Sequence, residues 1–160
     1  MGIQPTYCPH CYSNPCCCPS NILFAFAEKS NIRLDLPQNG GLIVRTIPPF
    51  DTSGHIVKLE AMAEVAVQNG NPNYVVSIVI VLLRDGNDIA RTSVVNAANT
   101  LEYITTPNIT WVDIPPPGIH SYELLIAINT SPFVHERFVL TRTLTATLFP
   151  FSNVLPSTST

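Results

Sequence analysis

Ile56-Val57-Lys58-Leu59-Glu60-Ala61-Met62-Ala63-Glu64-Val65-Ala66-Val67, continued across Asn69-Gly70-Asn71-Pro72-Asn73 by Tyr74-Val75-Val76-Ser77-Ile78-Val79-Ile80-Val81-Leu82-Leu83, is the stretch that decides the fold class. In its first half Val57, Leu59, Ala61, Ala63, Val65 and Val67 fall on one face, with Lys58, Glu60, Glu64 and Gln68 opposite. That period of two is the mark of a half-buried strand. The second half is almost wholly apolar and β-branched from Val75 to Leu83, which predicts a strand covered on both sides. Asp85-Gly86-Asn87 then gives a hairpin signal.

The same grammar extends both ways. Upstream, Ile22–Ala27, Ile32–Leu36 and Leu42–Ile47 read as strands, separated by Glu28-Lys29-Ser30-Asn31 and Pro37-Gln38-Asn39-Gly40-Gly41 and closed by Pro48-Pro49. Downstream come Ile89–Val95, Leu101–Thr105, Ile109–Ile114, Tyr122–Ile128 and a long terminal strand, Val134–Leu148, in which Thr141, Thr143, Thr145 and Thr147 alternate with apolar residues and Arg142. Short strands at this spacing with no amphipathic helix predict an antiparallel sandwich or barrel. The organisation read from the sequence is an N-terminal arm at 1–20, one β domain at 21–150 and a polar tail at 151–160.

The arm is chemically distinct. All five cysteines, Cys8, Cys11, Cys16, Cys17 and Cys18, lie in it, and none lies in the body. Pro5, Pro9, Pro15 and Pro19 each remove a backbone donor and argue against a helix or a central strand. Five is odd, so full oxidation requires at least one bond to another chain. Cys8-Pro9-His10-Cys11 followed by Cys16-Cys17-Cys18 is also a set of zinc ligands, but the gap is far shorter than in zinc folds. A redox CxxC needs a helix N-terminus that the prolines disfavour. Inter-chain cross-linking is the preferred reading. Ahead of the thiols, Ile3-Gln4-Pro5-Thr6-Tyr7 offers apolar anchors for docking, with Ile3, Pro5 and Tyr7 as the connector residues.

Composition points the same way. Only 12% of residues are charged against 46% hydrophobic, and the net charge is -3. Either Thr, Ser and Asn clothe the surface, or much of it faces protein. There is no basic stripe for nucleic acid and no apolar run long enough for a membrane span. The N-terminus lacks the charged and apolar regions of a classical signal peptide.

Three segments of the body, Asn87-Asp88-Ile89-Ala90, Trp111-Val112-Asp113-Ile114-Pro115 leading through Gly118 to His120-Ser121-Tyr122-Glu123-Leu124, and Arg142-Thr143-Leu144-Thr145-Ala146-Thr147, resemble in order and spacing the jelly roll of the tumour-necrosis-factor and complement-C1q superfamily. The resemblance spans roughly 22–150 and implies a ten-stranded double-sheet sandwich and a homotrimer. Tyr74, Trp111, Tyr122, Phe133 and Phe138 would then be candidates for the trimer core. A cysteine-bearing arm on such a head resembles the fibre subunits of Bacillus endospore appendages, and also exosporium head domains. It implies a self-assembling, pilus-like structural subunit on the extracellular spore surface. Its trimers would stack head-to-tail through the connector, with anchor or tip proteins as further partners. A trimeric receptor-binding or adhesin head is the alternative. Covalent appendage connectors need an acceptor cysteine in a neighbouring body, and this body has none, so disulfides here would tie arm to arm.

Enzymatic signals are lacking. His10, His55, His120 and His135 are isolated from one another, and no nucleophile elbow or phosphate loop occurs. No cofactor is expected. Asp85 and Asp88 read as turn residues, with calcium as the lesser alternative, and Asn108-Ile109-Thr110 and Asn129-Thr130-Ser131 match the glycosylation sequon.

Overall fold

The computed structural model describes residues 23–29, 33–37, 40–130 and 134–151. The strands are β1 (Leu23–Lys29), β2 (Leu34–Asp35), β3 (Gly41–Asp51), β4 (His55–Asn69), β5 (Tyr74–Arg84), β6 (Asn87–Ala98), β7 (Glu102–Thr105), β8 (Asn108–Asp113), β9 (Ile119–Thr130) and β10 (Val134–Pro150). Among the described residues no helix is long and apolar enough to cross a membrane.

The tightest element is the β5–β6 hairpin. Asp85 and Gly86 both take positive φ, 50° and 77°, the combination that matches the right-handed twist of flanking strands. Around this hairpin the remaining pairs close in nested order. β4 pairs with β7 and β8, β3 with β9, and β1 with β10, all antiparallel. The chain passes between two sheets as it does so, giving one of six strands, β1-β10-β4-β7 with β2 on β10 and β8 on β4, and one of four, β3-β9-β5-β6. One long hairpin rolled into two sheets is a jelly roll, and the protein is an all-β antiparallel jelly-roll sandwich.

The alternation of β4 places the interior where the sequence pattern puts it: Val57, Leu59, Ala63, Val65 and Val67 are fully covered. They pack with Val76, Ile78, Ile80 and Leu82 of β5, Leu124, Ile126 and Ile128 of β9, and Leu144, Ala146 and Leu148 of β10. Each Val, Leu or Ile side chain among them contributes about 1.5–3 kcal/mol on burial. One guanidinium shares this interior. Arg142 is buried where the β10 register shifts, and it ties the sheets by donating to the carbonyls of Val44 on β3 and Leu140 on its own strand, at 3.2 and 3.1 Å.

Three sequence expectations change. Pro48-Pro49 does not end the third strand, because β3 is a sheet edge and its register is interrupted between Ile47 and Phe50, where missing donors are tolerated. Glu28 and Lys29 belong to β1, paired with Thr143 and Arg142. β5 is covered on both sides only in its second half, where Val81 and Leu83 are buried on the outer side as well. Its even-numbered residues meet the other sheet, whereas Val75 on the opposite side is 51% exposed.

Candidate interaction surface

The outward face of the four-stranded sheet is apolar in rows that run across the strands. Ile43, Leu125 and Val81 stand side by side with Arg91 closing the row on β6, and the next row brings Gly41, Ala127, Val79 and Ser93 together. Beyond these lie Ser77 beside Val95, then Val75 beside Ala97. Ile43, Val75 and Val95 are 44%, 51% and 62% exposed. Charge on this face gathers at one end, where Glu123 stands beside Leu83, and Asp88 pairs with Arg91. Leu125 lies flat because Gly41 makes room for it. A Cβ on Gly41 would fall 2.4 Å from Leu125 Cδ2.

The outward face of the six-stranded sheet is built differently. Lys58 and Glu60 form an ion pair at 3.0 Å, Gln68 donates to Glu102 at 3.2 Å, and Thr143 and Thr145 stand beside Met62 and Glu60. Near its rim the Arg33 guanidinium lies 4.3 Å from the Phe138 ring centroid and also pairs with Asp35 and Glu136. An antiparallel sheet with one solvated face alternates apolar and polar residues. The six-stranded sheet follows that rule along β4 and β10, although Val112 beside Lys58 and Ile104 beside Ala66 stay exposed on β8 and β7, whereas the four-stranded sheet breaks it across its middle. A contiguous apolar patch of this kind marks an interaction site.

The predicted trimer-core residues do not gather on one surface, and most of them are interior. Tyr122 is wholly buried, its hydroxyl donating to Asp113 Oδ2 at 2.8 Å and its ring 5.7 Å from that of Phe50. Tyr74, 4% exposed, lies at the opposite end of β5 from Tyr122's neighbour Arg84, and its hydroxyl reaches the Val67 carbonyl at 3.4 Å. Phe138 is covered beneath Arg33. These three rings complete the protomer's own packing, which leaves them no surface for a three-fold axis. Trp111 on β8 is 43% exposed and stands apart from the apolar sheet face. Phe133, the connector residues Ile3, Pro5 and Tyr7, and Cys8, Cys11, Cys16, Cys17 and Cys18 lie outside the described residues.

At the loop end, a polar cluster holds the turns together. Asp85 accepts the Ser121 amide at 2.8 Å and its hydroxyl at 3.2 Å, and its other oxygen meets His120 Nδ1 at 2.6 Å. His120 Nε2 lies 2.9 Å from the Pro116 carbonyl. Hydrogen bonds from His120 and Ser121 hold the Asp85 carboxyl below the usual range, and the same carboxylate raises the imidazole. Just behind, Arg84 Nη1 donates to both oxygens of Asp113 at 2.9 Å. Asp85 and Asp88 thus spend their oxygens on protein donors, and no group of His, Cys, Asp and Glu able to hold a metal occurs among the described residues.

Fold and surface together define a jelly-roll domain with one outer face polar along β4 and β10 and the other apolar across its middle. No family model matches the chain, and no curated protein matches it. Among solved structures it is similar to the infectious bursal disease virus VP2 subviral particle, at 12% identity and a TM-score of 0.44, over 81% of this chain and 34% of that one. A second similarity is to T=1 particles derived from infectious bursal virus, at 16% identity and a TM-score of 0.40, covering 81% and 32%. The chain spans about a third of the length of these structures. The jelly-roll assignment rests on the nested strand pairing itself.

Proposed function

We propose that this protein is a self-assembling structural subunit whose copies associate through the apolar outer face of the four-stranded sheet. The observation that carries the reading is the row structure of that face, Ile43-Leu125-Val81 above Gly41-Ala127-Val79-Ser93, uncharged across the full width of the second row. Covering such a face removes apolar area from water at about 25 cal/mol per Å². A second copy of the chain fits because the middle of the face is uncharged and the sequence as a whole is short of charge, at 12%. The resemblance to endospore appendage subunits supplies the setting: an extracellular spore-surface fibre, with the arm as connector and its thiols as arm-to-arm cross-links. Contacts that do not close on themselves yield filaments.

Negative-stain microscopy and sedimentation of the pure full chain test the proposal. Filaments or closed oligomers that dissociate on placing a carboxylate at Val79 are the expected result; a monodisperse monomer at high concentration overturns it. Non-reducing gels after boiling test the thiols separately, with chains linked through Cys8 to Cys18 as the expected outcome and monomer alone as the contrary one.

The receptor-binding or adhesin reading draws on one further observation. Ile114 and Ile119, at either end of the β8–β9 loop, are 66% and 70% exposed. Discrete oligomers that lose affinity for a surface when these two residues become Ser would favour it.

A further inference from the structure

We propose that His120 is a proton-operated latch joining the β5–β6 turn to the β8–β9 loop, closed in mild acid and released above neutrality. Both ring nitrogens face acceptors: Nδ1 lies 2.6 Å from Asp85 Oδ2, and Nε2 lies 2.9 Å from the Pro116 carbonyl. A neutral imidazole carries one N–H and one lone pair, so it satisfies only one of them and sets a lone pair against the other. The imidazolium satisfies both. The ring is 13% exposed against 43% for Asp85, so the mismatch falls on the covered ring nitrogen rather than on the acceptor that water reaches.

The charged and titratable groups around the ring leave one candidate for the switching partner. Asp51 on β3 is turned to the Ser53 amide at 2.9 Å. Asp113 on β8 is engaged by Arg84 and by Tyr122, the titratable neighbour on β9 itself. Arg84 on β5 opposes protonation of the ring, but more weakly than Asp85 favours it. Asp85 is the group in direct contact.

The sign follows from those contacts. His120 titrates above its ordinary 6.5 when folded, so its contribution is complete below 6.5 and is lost as pH rises through the higher folded value. Asp85 titrates below its ordinary 3.8, so its part is present above 3.8 and is lost as pH falls through the lower folded value. The latch is therefore fully closed between these two ordinary values. Closing it fixes the loop that carries Ile114 and Ile119 at its ends, which makes the geometry of that exposed apolar surface depend on acidity.

Mass-spectrometric deuterium exchange at imidazole C2 of the full chain, assembled or not, reads the His120 midpoint directly. A midpoint above 6.5 is expected, and one at or below 6.5 overturns the latch. Backbone exchange supplies the second readout. After correction for intrinsic rates, protection of the peptides holding Thr52 and Ser121 should fall several-fold from about pH 6 to about pH 8.5. The Asn69–Asn73 turn at the opposite end should not respond. In His120→Gln the pH response should disappear, and its survival there overturns the assignment. Asp85→Asn keeps the latch falsifiable if the glutamine variant does not fold: the His120 midpoint should drop, and an unchanged midpoint overturns the pairing.

Discussion

The hydroxyl of Tyr122 donates to Asp113 Oδ2 across 2.8 Å inside the sandwich, joining β9 of one sheet to β8 of the other. Arg84 Nη1 holds the same carboxylate, so a buried carboxylate, a phenol and a guanidinium close the loop end of the interior. Removing the hydroxyl leaves Asp113 with its arginine, and Tyr122→Phe should cost about 1–2 kcal/mol. Asp113→Ala strands both donors and should cost about 3 kcal/mol. Urea unfolding of the two variants measures the difference. Burial and Asp113 push the Tyr122 hydroxyl well above its ordinary 10, so stability should fall as pH rises past 10, and less steeply in Tyr122→Phe.

Gly41 and Leu125 form a second testable pair. A methyl group at Gly41 meets Leu125 Cδ2 at 2.4 Å, so Gly41→Ala should destabilise by about 1–3 kcal/mol through overpacking on the outer face. Combining it with Leu125→Ala removes the clash. The double variant should be more stable than the sum of the singles, and additive free energies would show that the two side chains do not meet.

The apolar face separates assembly from folding. Val95 is 62% exposed in the single chain, so Val95→Lys should change unfolding free energy by no more than about 0.5 kcal/mol. The same change should weaken self-association at least tenfold in sedimentation equilibrium. Thr145→Lys, on the solvated face of the other sheet, is the control and should leave association unchanged.

Arg142 is the most demanding interior position. It is 3% exposed, burial and Arg45 lower its affinity for the proton, and its donors serve carbonyls on two sheets. Arg142→Ala opens a cavity and leaves the Val44 carbonyl without this donor, for a loss of about 3 kcal/mol or more. Arg142→Met fills part of the volume and should recover part of the stability. Equal losses in thermal melts would place the whole effect on the hydrogen bonds.

Much of this architecture was legible in the sequence because strand periodicity is a local property. The alternation from Val57 to Val67 named the interior face of β4, and Asp85-Gly86 named the hairpin at the centre of the roll. Position within a sheet is not local. Pro48-Pro49 read as a break because nothing in the sequence told that β3 would be an edge, where two missing donors are harmless. The aromatic residues misled for a related reason. Large rings suit both an interface and an interior, and Tyr122 went inside because Asp113, nine residues upstream, arrives from the other sheet to accept its hydrogen bond. The apolar outer face was present in the almost wholly apolar run Val75–Leu83, but its meaning required the register that sets Leu125 between Ile43 and Val81.

The nested pairing also dictates an order of events when the chain folds. The β5–β6 hairpin forms from neighbours, whereas Leu23 must find Leu148 across nearly the whole described chain. Each pair can close only on the one inside it, so loop-closure entropy mounts outward and the roll is a slow, non-local folder. β1 is then the final strand to be zipped in and the first to peel away. Among the described residues it is paired along β10 alone, which makes it the element by which one copy could lend a strand to another before the roll is shut.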